Sequence, residues 1–266
     1  MSQETYTHGH HESVLRSHTS RNAANSAGYL AGELRPGLDL LDVGCGPGTI
    51  TVDFARLLAP GRVVGMDRSE DVLAIARRHA AEQGVEVTFE SGDVYALGYG
   101  SASFDVVHAH QVLQHLSNPV AALKEMRRVT RPGGIVAVRD GDYSCFSWAP
   151  LDPRLDRWLE LYRAVARKNG GEPDAARFLK RWALEAGFSD VRVSSSTWTF
   201  ADSESCRWWA ALRADRCELS DLGDQIVMYG LANRSELSEI AKAWRHWAEQ
   251  PDAYFSVPHG EVIARA

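Results

Sequence analysis

An acid and three glycines near the start of the chain have the types and spacing of a nucleotide-type cofactor site. In the run LDLLDVGCGPGT, Asp42 lies near the end of an apolar stretch, and Gly44, Gly46 and Gly48 follow at alternate positions. Glycines can adopt positive φ and let a ligand approach the backbone, with helix N–H groups directly behind. The spacing is one residue shorter than the Gly-x-Gly-x-x-Gly of pyrophosphate binders, which disfavours a dinucleotide. The run predicts a strand, a cofactor-binding turn and a helix; a ligand-free turn is the alternative.

Two further acids follow predicted strands. Asp67 comes after the apolar stretch 62–66, about 20 residues beyond the glycines, where an acid can accept hydrogen bonds from both ribose hydroxyls. It could instead cap the next helix, although Ser69 suits that role better. Asp93 can accept from an exocyclic amine such as that of adenine, while Val94 packs on the ring. The alternative for Asp93 is a turn residue without a ligand.

Strands and helices must alternate to position these residues. Apolar or alternating stretches predict seven strands, near residues 38–43, 62–66, 85–89, 103–110, 135–139, 191–200 and 254–263. Amphipathic helices separate the first five, which predicts an α/β fold with a parallel sheet covered by helices on both faces.

The N-terminal 35 residues predict a helical cap beside the cofactor turn. A polar stretch with four histidines gives way to an amphipathic helix from Ala23 to about Leu34. We expect Tyr6 and Arg21 to offer a hydroxyl and a cation to a zwitterionic ligand. No metal site is predicted, because the clustered histidines have no acidic or cysteine partner at a ligand spacing.

Composition narrows the function classes. The 266 residues, 44% of them hydrophobic, suit one large domain or a domain with an insertion. The net charge of −6 disfavours nucleic acid as a partner. No apolar run approaches the roughly 18 residues of a membrane helix and no signal peptide is evident, so we expect a cytoplasmic protein without membrane insertion. The four cysteines form no Cys-x-x-Cys pair and are expected to be reduced.

Taken together, the motifs resemble a known family. The run LLDVGCGPGT, the strand-end Asp67, GDV at 92–94, FDVVHAHQVLQHL and RPGGIVAV are similar to the class I S-adenosylmethionine-dependent methyltransferases, in particular to small-molecule enzymes like those of quinone biosynthesis. The resemblance covers about residues 36–140. It implies S-adenosylmethionine as cofactor and a Rossmann-like, doubly wound, mostly parallel seven-stranded sheet whose last strand is antiparallel.

The resemblance also assigns roles. It implies that Asp42 and the glycines hold the methionine part and ribose, Asp67 the ribose diol, and Asp93 with Val94 the adenine. The tip of the fourth strand, 109–111, would face the methyl group. The resulting set of cofactor-binding residues is Asp42, Gly44, Cys45, Gly46, Gly48, Asp67, Arg68, Asp93, Val94, Ala109, His110 and Gln111, with Tyr6 and Arg21 from the cap. The Asn/Asp-Pro-Pro-Tyr motif of base- and amide-methylating branches is replaced by His110-Gln111-Val112, which disfavours nucleobase amines.

All eight tryptophans lie beyond residue 142. Such a cluster, with few neighbouring charges, favours a cavity for an apolar or aromatic acceptor or a cation cage; packing in a core is the alternative. Residues 201–251 are predicted to form a helical insertion over the acceptor side. The remaining 36–200 and 252–266 would form the cofactor-binding domain.

The predicted activity is methyl transfer from S-adenosylmethionine to an O, N or C atom of a small, apolar or aromatic molecule. Holding the two reactants in line supplies much of such catalysis. An O–H or N–H acceptor also loses a proton, for which His110 is the first candidate base and His115 the second; positioning alone is the alternative. A protein or RNA methyltransferase and a non-catalytic cofactor-binding regulator are the alternative functions, and a homodimer is considered beside a monomer.

Overall fold

The computed structural model describes residue 7 and residues 12–266. Within them, eight strands are present: β1 Leu40–Val43, β2 Val63–Asp67, β3 Thr88–Ser91, β4 Phe104–His110, β5 Thr130–Gly141, β6 Ser147–Ala149, β7 Asp190–Phe200 and β8 Tyr254–Arg265. The α-helices of this part of the chain are α1 Glu12–Thr19, α2 Ala23–Ser26, α3 Thr49–Leu58, α4 Glu70–Glu82, α5 Pro119–Val129, α6 Pro153–Lys168, α7 Leu179–Glu185, α8 Ser203–Leu219, α9 Asp221–Met228 and α10 Arg234–Trp247.

One sheet contains all eight strands. Its order is β3-β2-β1-β4-β5-β8, with β7 pairing along the far side of β8 and the three-residue β6 pairing with the beginning of β8. The first five strands are parallel, and β8 runs antiparallel to β5 and β7. The mostly parallel sheet with an antiparallel last strand is therefore confirmed, and the structure adds β6 to the seven predicted strands.

Successive side chains of each strand point to opposite faces of the sheet and pack against different helices. Leu40 of β1 packs with Phe54 and Leu58 of α3 on one face of the sheet. The next residue, Leu41, packs on the other face with α5 and α7, where Leu123 is fully buried. The alternating helices thus cover both faces, which is the doubly wound arrangement predicted from the sequence.

The strand register brings the ends that carry the predicted site to one edge. Val43 of β1 is paired with Met66 of β2 and with Ala109 of β4, and Asp67 is paired with Ser91 of β3. Because the strands are parallel, their carboxyl ends and the loops that follow them gather at this edge.

The second half builds a separate core of aromatic residues. Helices α6, α8, α9 and α10 share one core with Phe255 of β8, and the buried tryptophans of this core are Trp148, Trp158, Trp209, Trp244 and Trp247. Core packing therefore accounts for most of the tryptophan cluster.

The predicted single helix from Ala23 to about Leu34 is wrong. The chain forms α2, which ends as the Ala27 N–H donates to the Ala23 carbonyl, and then a 3-10 helix over Gly28–Glu33. Glycines at 28 and 32 lower helix propensity, and Leu30 is instead buried beneath the sheet. No helix within the described residues has the length and apolar character of a bilayer span.

Candidate active site

The turn after β1 adopts the backbone that its glycines predict. Gly44 has φ +67° and Gly46 has φ +55°, a region where L side chains are strained. A Cβ at Gly44 would lie 2.4 Å from the Val112 side chain, whereas the space beside Gly46 is open. The turn therefore needs glycine both for its conformation and to leave room for a neighbour.

Asp67 is held at the end of β2 by two backbone N–H groups. Gly46 N donates to its Oδ2 and Ser69 N to its Oδ1, each at 3.0 Å. Ser69 caps α4 by accepting from Val72 N, so the capping alternative for Asp67 is wrong. Each carboxylate oxygen keeps a further lone pair for a ligand, because an ionised carboxylate has about four acceptor positions.

A cavity of about 260 Å³ runs along this edge of the sheet. We call it the first cavity. It is lined by twelve of the predicted site residues: Arg21, Asp42, Gly44, Cys45, Gly46, Asp67, Arg68, Asp93, Val94, His110, Gln111 and His115. The sequence therefore grouped most of its candidates correctly in space.

Two predicted residues of the described part of the chain do not line the first cavity. A Cβ at Gly48 would lie 2.9 Å from both Ala76 and Phe89, so this glycine permits close helix–strand packing. Ala109 is fully buried in the core on the opposite face of β4 from His110, as the pleat dictates. Tyr6 lies outside the described residues.

Asp42 is buried behind the turn and its carboxylate is occupied. His108 Nδ1 lies 2.8 Å from Oδ1, and the Thr51 hydroxyl donates to Oδ2 at 2.6 Å. These contacts tie β1, β4 and α3 together beneath the turn. Sequence reasoning missed both partners, although the parallel register that pairs Asp42 with His108 was a signal that could have found the histidine.

Asp93 makes a turn contact and also lines the first cavity. Its Oδ1 accepts from Tyr95 N at 2.9 Å, which is the contact of a turn residue. Asp93 and Val94 nevertheless both line the first cavity. The turn thus fixes the carboxylate beside a ligand-sized space.

Gln111 joins the first cavity to the elements around it. Its backbone has φ +54°, costly for a non-glycine residue, and its N–H donates to the Arg139 carbonyl. Arg21 donates to its Oε1 at 2.7 Å, and its Nε2 lies 2.8 Å from His259 Nε2, which accepts. The side chain therefore connects the N-terminal segment with β8.

A second cavity, of about 640 Å³, adjoins the first and shares His18, Arg21 and Gln111 with it. Beside polar and charged groups, its wall contains six aromatic side chains: Tyr143, Phe146, Trp198, Phe200, Trp208 and Trp209. Within 201–251 only α8 and the residues just before it contribute, whereas Trp244 is fully buried in the core.

The second cavity has more charged groups in its wall than the few that the sequence indicated. Arg213 and Arg216 of α8 lie in its wall, both about 95% buried, and Arg21 lies at its junction with the first cavity. Cations in the wall repel a cationic ligand, which disfavours the cation-cage alternative.

The two candidate bases differ in surroundings. His110 is buried, both ring nitrogens have no hydrogen-bond partner among the described residues, and its ring lies 5.7 Å from that of Trp198. Burial, with Arg21 and Arg139 nearby, holds the pKa of His110 well below its usual range, so the ring is neutral. His115 Nε2 lies 3.1 Å from the side-chain nitrogen of Gln114 and accepts from it.

The first cavity suits an adenosine-type cofactor. The Asp67 carboxylate can accept hydrogen bonds from a ribose diol, and the Asp93 carboxylate can accept one from an amine. The open space beside Gly46 lets a ligand approach the backbone of the turn. The donor set therefore fits the group that the motifs imply.

Comparisons with known proteins agree with this fit. Residues 34–185 match the family model described as a methyltransferase domain. An uncharacterized methyltransferase of Schizosaccharomyces pombe is 31% identical over 267 residues, covering 97% of this chain and 95% of that protein. A ubiquinone/menaquinone biosynthesis C-methyltransferase of Bdellovibrio bacteriovorus is 40% identical over 104 residues, 39% of this chain and 44% of that enzyme.

Solved structures share the fold. The crystal structure of a protein from Bacillus halodurans, assigned as a methyltransferase, superposes with a TM-score of 0.59 at 21% identity, over 90% of this chain and 97% of that one. With the family match over 34–185 and the relative that spans nearly the whole chain, these findings show that the chain belongs to the S-adenosylmethionine-dependent methyltransferases.

Proposed function

We propose that this enzyme methylates an O, N or C atom of a small, apolar or aromatic molecule bound in the second cavity. One observation carries the proposal: the second cavity, which has six aromatic side chains in its wall, shares His18, Arg21 and Gln111 with the first cavity. Clefts in which aromatic side chains stand beside fixed polar groups are typical of small-molecule sites.

In the first cavity we assign roles to the chain's own groups. Asp67 accepts from the ribose diol, and Asp93 accepts from the adenine amine beside Val94. The turn at Gly44 to Gly46 holds the methionine part, and Arg21 pairs with its carboxylate. When bound, the cofactor supplies an electrophilic methyl group on a sulfonium; the protein supplies orientation and exclusion of water.

We assign His110 as the proton acceptor for O–H or N–H acceptors, with His115 as the second candidate. Its ring lines the first cavity and has two nitrogens without partners, and its lowered pKa keeps it neutral throughout the neutral pH range. The same low pKa makes it a weak base, so it suits acceptors that ionise readily, such as phenols.

The relative from Bdellovibrio, whose name states that it methylates in ubiquinone and menaquinone biosynthesis, supports an aromatic acceptor. The aromatic wall supports the same class, because ring stacking on tryptophan and phenylalanine favours flat ligands.

A screen of methyl transfer to quinols, phenols and amines tests the proposal, with Trp208→Ala as the informative variant. Trp208 lies in the wall of the second cavity, half-buried. We expect kcat/KM for the acceptor to fall about tenfold or more while cofactor affinity stays within twofold.

Trp182→Ala is the matched control, because Trp182 is also half-buried but stacks on Phe178, outside both cavities. Equal loss of cofactor affinity and acceptor turnover in Trp208→Ala would contradict an acceptor site in the second cavity. So would unchanged acceptor kinetics in a folded variant.

A further inference from the structure

Arg213 is a buried cation in the wall of the second cavity. It is 5% exposed, and its guanidinium carbon lies 3.8 Å from the ring centroid of Trp209 and 5.3 Å from that of Trp158. Among the described residues it forms no hydrogen bond and no ion pair, and its Nε is fully enclosed without a partner. The cation is therefore covered by aromatic faces and paired with no anion.

Two other buried arginines of the fold have hydrogen-bond partners. Arg139, 1% exposed, has Glu261 at 3.3 Å and the Ser196 hydroxyl at 3.1 Å. Arg216, one turn beyond Arg213, donates to the Ser17 hydroxyl. Arg213 therefore stands apart from the arginines that the fold itself satisfies.

The acids of the second cavity do not compensate Arg213. Asp202 caps α8 by accepting from the backbone N–H groups of Glu204 and Ser205, and it also accepts from the Ser205 hydroxyl. Glu204 is exposed. Both acids lie at the start of α8, more than two turns before Arg213.

A buried guanidinium without an anion is costly to the free protein. Burial, with the neighbouring Arg216, lowers the pKa of Arg213 to about 9, so the group remains protonated at neutral pH. The contact with Trp209 offsets part of the desolvation cost, and an anion that enters the cavity would offset much more.

We propose that the methyl acceptor is an aromatic acid whose ring packs on the aromatic wall of the second cavity and whose carboxylate pairs with Arg213. The inference rests on the proposed function, since it names the acceptor class of the same cavity. One unpaired guanidinium matches the single charge of a carboxylate, and its planar fork suits two parallel hydrogen bonds to one.

Binding of a matched pair of probes tests this without requiring turnover. We would measure the Kd of 2-naphthoate and of its neutral amide, 2-naphthamide, by calorimetry with the cofactor present. The parent enzyme should bind the carboxylate about 10- to 100-fold more tightly than the amide. Arg213→Met should remove this preference while leaving the amide's Kd within threefold.

Arg207→Met is the matched control. Arg207 lies on the same helix, exposed and paired with Glu249 at 3.0 Å, so its loss removes the same charge outside the cavity. We expect this variant to keep the parent's preference. If Arg213→Met does not fold, Arg213→Lys keeps the charge but not the fork and should reduce the preference severalfold.

The outcomes separate the inference from the proposed function. Equal binding of the two probes to the parent overturns the inference and leaves an aromatic acceptor site intact. Failure of both probes to bind overturns the inference, and the proposed function then falls only if the methyl-transfer screen also fails. A lower Tm in Arg213→Met with an unchanged preference would show a structural cation; we expect a Tm at or above the parent's.

Discussion

Asp67→Ala should weaken the binding of S-adenosylmethionine sharply. The Asp67 carboxylate is already oriented by Gly46 N and Ser69 N at 3.0 Å, so its remaining lone pairs are fixed in place before the ligand arrives. Two ribose hydroxyls donating to one carboxylate contribute about 2–4 kcal/mol. Their loss corresponds to a Kd about 30- to 700-fold higher.

Alanine is a cleaner change than asparagine at this position. In either orientation an asparagine amide would place an N–H against one of the two backbone N–H groups, Gly46 N or Ser69 N, and would disturb the turn itself. Calorimetric titration with cofactor gives the Kd directly, and a thermal melt checks that the variant is folded.

Asp71→Ala separates a contact from a general charge effect. Asp71 is exposed in the first turn of α4 and does not line the first cavity, yet it carries the same charge near the same edge of the sheet. We expect a Kd within threefold of the parent's. A folded Asp67→Ala with parental affinity, or equal weakening by the two variants, would refute the assignment of the ribose to Asp67.

Three further predictions concern the base, acid stability and the turn. His110→Asn should slow single-turnover methyl transfer to a phenol or amine about 10²-fold or more, while its affinity for the cofactor is unchanged. If both His110→Asn and His115→Asn transferred the methyl group at the parent's rate from pH 6 to 9, neither histidine would be the proton acceptor. Burial lowers the pKa of His110 and His259 and raises that of Asp140 to about 7. Between pH 6 and 5 the unfolded chain therefore holds protons on two histidines that are neutral in the native state, whereas only the native state holds a proton on Asp140. Over that interval these three groups together should lower the free energy of unfolding by about 1 kcal/mol, and by about 2 kcal/mol in Asp140→Asn, as urea unfolding at the two pH values would measure. An unchanged pH dependence in that variant would contradict the raised pKa of Asp140. Gly44→Ala should lose about 1–3 kcal/mol of stability and most cofactor binding, whereas a parental melt and Kd would show that the turn tolerates a Cβ.

Much of the first cavity could be predicted because its residues follow strand ends that short stretches of sequence identify. Apolar runs that end in an acid or a glycine turn identify strand ends, and parallel strands bring those ends to one edge. Asp67, Asp93 and His110 therefore fall together without any knowledge of side-chain contacts. For Ala109 this reasoning fails, because Ala109 lies at the same strand end as His110 but its side chain is on the opposite face of the sheet.

The second cavity could not be predicted in the same way, because its polar groups depend on tertiary placement. In sequence, Arg213 and Arg216 look like solvent-facing residues of a helix rich in charges, and α8 has no single apolar stripe that marks its buried side. His259 belongs to a strand more than a hundred residues from Gln111, and only the packed sheet joins them. Such contacts leave no periodic signal.

The place of β8 between β5 and β7 has a consequence for how the molecule folds. Neither neighbour pairs with the other, so β5 keeps an open edge until residues 254–265 arrive to bridge them. Contacts between segments this distant in sequence form late and slowly, and the open edge is available for pairing with other chains in the meantime. We therefore expect aggregation during refolding to depend on protein concentration, with the Gln111–His259 contact among the last to form.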